Sequence, residues 1–173
     1  MNVILSKLGW PAALALSLVA STAWAGTGPS IPINYGHTGT YFEPSMSGQG
    51  VLMEVVPESN TLVVSWFTYL GAQELSPDPG GAAGGLDEQR WYFAQGAFAE
   101  GDHVVDLQIL QPLGGRFATA GATSFPVVGN LRVSFDSCDS GELLYAFTAT
   151  GFSGQIPLTR LFADGICQQF LGE

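Results

Sequence analysis

The hydrophobic positions of the chain alternate with a period of two through most of its length, and that pattern predicts strands. Residues 51–56 and 62–69 are dense in β-branched and aromatic side chains and fold back on each other across Pro57-Glu58-Ser59-Asn60, the signature of a hairpin. Leu62, Val64 and Trp66 share one face, while Val63, Phe67 and Tyr69 share the other. Both faces are apolar, which predicts a central pair covered on both sides. A helix is excluded because these positions do not follow a period of 3.6. Residues 38–43 form a short first strand, and residues 89–97 a later one. Residues 103–111 set Val105, Leu107 and Ile109 against Val104, Asp106 and Gln108, so one side is wet. Residues 128–137 point Leu131, Val133 and Phe135 inward, residues 142–150 do the same with Leu143, Tyr145 and Phe147, and residues 155–162 close the series. The sum is an all-β fold, an antiparallel meander of about eight strands with no helix. An up-and-down barrel is preferred over a two-sheet sandwich because closure removes exposed edges. A lipid-facing barrel is disfavoured, since Asp106, Gln108, Arg132 and Asp136 would point into the membrane.

The ends of the chain change the picture. Lys7, the apolar run 8–19 and Ala23-Trp24-Ala25 compose a secretory signal peptide over residues 1–25, with cleavage expected after Ala25. That leaves 148 of the 173 residues, enough for one domain with a real core. Residues 26–37 read as an extended leader, and residues 38–173 as a single β-domain. No later apolar run is long enough for a transmembrane helix, and the expected location is secreted or periplasmic. Cys138 and Cys167 are the two cysteines, and export to an oxidising compartment predicts a disulfide between them that ties down the C-terminal tail. The Gly/Pro-rich segment 71–88 reads as a long loop, and 112–126 as another, pinned by Gly114-Gly115 and by Phe117. Neither carries the Lys-Ser/Thr and helix of a phosphate-binding loop.

The net charge of −10 becomes −11 once Lys7 is removed, and the remaining cations are Arg90, Arg116, Arg132 and Arg160. Nucleic acid and anionic membranes are therefore poor partners; a small molecule, a glycan or a protein is expected instead. Tyr41, Trp66, Tyr69 and Trp91, with Tyr92, are dispersed over three strands, and they either line one barrel mouth as a binding surface or fill the core. Glu54 interrupts an apolar strand; it faces water, or it is buried against Arg90 or Arg160. The tentative ligand-binding set is Tyr41, Glu54, Trp66, Tyr69 and Trp91. His37 and His103 lack any catalytic or zinc-ligand spacing, so no catalytic residue, metal or cofactor is expected. Binding or interaction is the expected role, with an enzyme site assembled from loops and a plain scaffold as the alternatives.

Several short motifs occur in a fixed order: Tyr41-Phe42-x-Pro44, Ser47-Gly48-Gln49-Gly50, Trp66-Phe67-Thr68-Tyr69, Arg90-Trp91-Tyr92, Gly114-Gly115-Arg116-Phe117 and Ile156-Pro157-Leu158-Thr159-Arg160-Leu161. In this order the chain resembles a family of uncharacterised secreted bacterial β-domains, over residues 39–161. Members of that family often carry Trp where this chain has Gln49. The resemblance implies an exported bacterial β-domain, and brings with it neither a catalytic residue nor a ligand.

Overall fold

The computed structural model describes residues 30–69, 89–163 and 165–172. The signal peptide, the first part of the leader and the loop at 71–88 lie outside the described residues. Eight strands close into an antiparallel barrel in sequence order. They are β1 (Gly39–Phe42), β2 (Gly50–Val56), β3 (Thr61–Tyr69), β4 (Gln89–Ala97), β5 (Val104–Leu110), β6 (Val127–Phe135), β7 (Ser140–Phe147) and β8 (Ser153–Arg160). The barrel is therefore the observed alternative and the sandwich is not. The seam between β8 and β1 is short, pairing Tyr41 with Arg160 and Phe42 with Thr159.

Alternation places the expected residues inside. Val51, Val64, Val105, Leu107, Ile109, Leu131, Val133, Phe135 and Leu143 are buried in one continuous core, which fills the barrel as small barrels are filled. The outer face carries Glu54, Asp106, Arg132 and Glu142, and the Arg132 Nε and one terminal nitrogen grip both Asp106 oxygens at 2.7 and 2.9 Å. An apolar inside, with charged side chains set among the outer positions, departs from the pattern of a lipid-spanning barrel. No described helix is long and apolar enough to cross a membrane. The expectation that both faces of β2 and β3 are covered fails among the described residues: on the outer face, Leu52 of β2 and Phe67 of β3 are about half exposed.

Two features correct the strand-only reading. A 3-10 turn, Tyr35–His37, precedes β1, and α1 (Ile166–Leu171) follows β8. Both sit at the base of the barrel, the end that holds the turns after β2, β4 and β6. The leader is part of the fold from Ser30 on. The Ile31 N–H donates to the Phe135 carbonyl and the Ile33 N–H to the Asp102 carbonyl, each at 2.8 Å, and Ile33 and His37 are buried. Cys138 and Cys167 are bonded, with Cα atoms 5.6 Å apart, and the bond clamps α1 beside the 3-10 turn. Gly36 permits that approach, because a Cβ there would lie 2.3 Å from the Cys167 backbone.

At the opposite end, the mouth, the chain passes through the β1–β2, β5–β6 and β7–β8 connections. The β5–β6 connection is a protruding ribbon with bridges Leu113–Ser124 and Arg116–Thr119. Phe117 does not pin it: the ring is 99% exposed at the tip.

Candidate functional site

The mouth holds a hollow of about 250 Å³ lined by Met46, Gln49, Trp66, Tyr92, Tyr145 and Phe147, with Thr68, Tyr69 and Phe152 at its edges. Trp66 and Tyr92 are register partners on β3 and β4, and inward-facing Tyr145 and Phe147 arrive from β7. The rings interlock. Trp66 lies 5.6 Å from Tyr92, 5.2 Å from Tyr145 and 6.1 Å from Phe147 by centroid, and Tyr145 lies 5.5 Å from Phe152. Tilted contacts of this kind hold aromatic walls in place, so the hollow has a preformed shape. Trp66 is also its floor, since Val64, Ile109 and Val133 below are fully packed.

Polar atoms border the rings. Thr68 Oγ1 donates to Gln49 Oε1 at 2.7 Å, and among the described residues this leaves the Gln49 amide hydrogens available to a guest. Burial raises the Tyr145 pKa, so its hydroxyl stays protonated at neutral pH, close against Gly154. The Tyr69 hydroxyl donates to the Gly48 carbonyl at 3.2 Å and stiffens the rim. Gln155 borders the hollow too, but its amide is engaged by Glu142 on the outer face. The residues lining the hollow carry no charge. A ligand that fits is neutral, with a face for the rings and hydrogen-bonding groups at its edge.

The five nominated residues separate. Trp66 and Tyr69 belong to the mouth. Tyr41 lies fully buried near the base, its hydroxyl donating to the His37 carbonyl at 3.0 Å and its ring 5.6 Å from Phe135. Glu54 is exposed on the outer face of β2, and neither proposed partner meets it: Arg160 is turned into the base, where it donates to the carbonyls of Gly36 and Thr38 at 2.7 and 2.8 Å. Trp91 stands outside the barrel, beside Phe67. Tyr145, Phe147, Phe152, Gln49 and Thr68 were not among the nominees. The inward face of residues 142–150 was the available signal for the first two.

The base holds a second chemical cluster. His37 stacks on Phe135 at 4.0 Å and 20°, receives the Asn34 N–H on Nδ1 at 3.1 Å, and places Nε2 3.5 Å from Cys167 Sγ. Burial lowers its pKa to about 4; a hydrogen bond with the Asn34 backbone opposes the shift and the Arg160 charge adds to it. A broader groove of about 620 Å³ runs between the leader, the β2–β3 and β4–β5 turns and Phe170. The Asn34 side chain that borders it is committed to Gly36 and Pro32, so the mouth has the better convergence of rings and open polar atoms. Among the described residues, no group of three His, Cys, Asp or Glu side chains could hold a metal ion. No family model matches the chain, and neither does any curated protein or solved structure.

Proposed function

We propose that this protein is an exported binding module that takes a small neutral ligand into the mouth of its barrel. The observation that carries the reading is the aromatic hollow over Trp66, set above an interior that is otherwise filled. Preformed apolar concavities with a few placed polar groups are the usual form of small-molecule sites. The Cys138–Cys167 bond supports an oxidising destination, in keeping with the signal peptide read from the sequence. Secreted or periplasmic location is part of the proposal.

The test uses two probes, phenol and methyl β-glucoside, added to the isotopically labelled exported chain and followed by NMR. Shift changes centred on Trp66, Tyr92, Tyr145 and Phe147, and weakened by Tyr145→Ala, are expected for at least one probe. Changes centred on the base, or none with either probe at millimolar concentration, would leave a scaffold and end the reading.

A further inference from the structure

We infer that the ligand is the end of a neutral oligosaccharide: one sugar ring sits in the mouth and the chain continues over the β3 rim onto the outer face of the barrel. This rests on the mouth being the binding site. A second hollow, of about 450 Å³, lies outside the barrel against Phe67, Tyr69, Gln89, Arg90 and Trp91. Thr68 and Tyr69 line both hollows, so the two adjoin across the end of β3.

The outer wall is an aromatic row. Phe67 and Trp91 are direct partners in the β3–β4 register, about 5 Å apart for such pairs, and Tyr69 follows two residues along β3 on the same face, about 7 Å on. Phe67 and Trp91 are 47% and 49% exposed. Adjacent large rings held in water mark an interaction site more often than chance exposure. The spacing suits flat, rigid units joined in series.

The chemistry narrows those units. A guest longer than the mouth cannot thread downward, because Trp66 closes the floor and the core beneath is packed, which excludes a long acyl chain lying along the barrel axis. It must leave over the rim, where it meets ring faces together with the polar groups of Gln49, Thr68 and Gln89. A pyranose presents C–H groups to an aromatic face and hydroxyls around its edge, and so satisfies both at once. The net charge of −11 on the exported chain disfavours anionic chains.

Calorimetric titration of the exported protein with neutral gluco-oligosaccharides of one to five residues tests this. Affinity is expected to rise about tenfold between one and three residues, the scale of one or two stacked rings. Trp91→Ala and Phe67→Ser, both on the outer surface, are expected to flatten that dependence on length while the far-UV spectrum stays unchanged. Glucoside binding at the mouth with no gain on lengthening would overturn the inference and leave the mouth reading standing. Binding of phenol but of no saccharide would do the same. Failure of every probe at the mouth would overturn both.

Discussion

At the scale of single residues, His37 shows how much the base depends on one neutral ring. Its pKa is about 4 in the fold against 6.5 free, so the unfolded chain takes up a proton first as pH falls. The stability this provides is fully present above about pH 6.5 and is lost between there and pH 4, roughly 3 kcal/mol in all. Urea unfolding at pH 7 and at pH 4.5 should show a drop in the wild type that is clearly smaller in His37→Gln; equal drops would remove His37 as the cause. The sequence listed His37 as one of two isolated histidines and nothing more, because the partners that bury it, Phe135 and Cys167, lie far along the chain. For a related reason the sequence does not separate the two roles open to Tyr41. Alternation tells which face a residue occupies and says nothing of its height along the barrel, so a base residue and the mouth residue Trp66 looked alike.

The elements divide by how much periodicity they carry. All eight strands were legible: β2, β3, β5, β6 and β7 each repeat an inward apolar position three times, and the short β1 is marked off by Pro44 after it; their ends moved by only a few residues. The six-residue α1 offers less than two turns and so has no repeat to read. It is also too short to persist alone. What holds it is the Cys138–Cys167 bond, which spans 29 residues and on the chain-entropy account contributes about 3 to 4 kcal/mol. Reduction, or the double substitution of Cys138 and Cys167 by Ser, should therefore abolish the helical amide protection of residues 166–171 in hydrogen exchange and lower the unfolding midpoint. Protection of β3 and β6 should persist at native conditions. Retention of the α1 protection after reduction would show that packing on Gly36 suffices without the bond.

On the scale of the whole molecule, the barrel is solid below Trp66 and hollow above it, and this asymmetry is measurable. Leu131→Ala removes a side chain that is 1% exposed and should cost about 2 to 5 kcal/mol. Phe147→Ala, at the half-open mouth beside the existing hollow, should cost less than Leu131→Ala and enlarge the cavity. Chemical denaturation of the two variants decides; a greater loss for Phe147→Ala would mean that the mouth rings are structural before they are receptive. The sequence left both roles open for the aromatic set, and the structure divides them: Tyr41 braces the base, Trp66 lines the mouth, and Trp91 stands on the outside. No reading of one strand at a time separates these, because the division follows from closure of the barrel.

Closure itself rests on a seam that joins residues 41 and 42 to residues 160 and 159, near the two ends of the domain. The first strand thus waits for the last, and no intermediate length of chain has both edges paired. Contacts this distant in sequence make folding slow relative to a helical domain of the same size. A chain cut short ahead of residue 153 would leave the edges of β1 and β7 both open, so such truncations are expected to aggregate rather than fold.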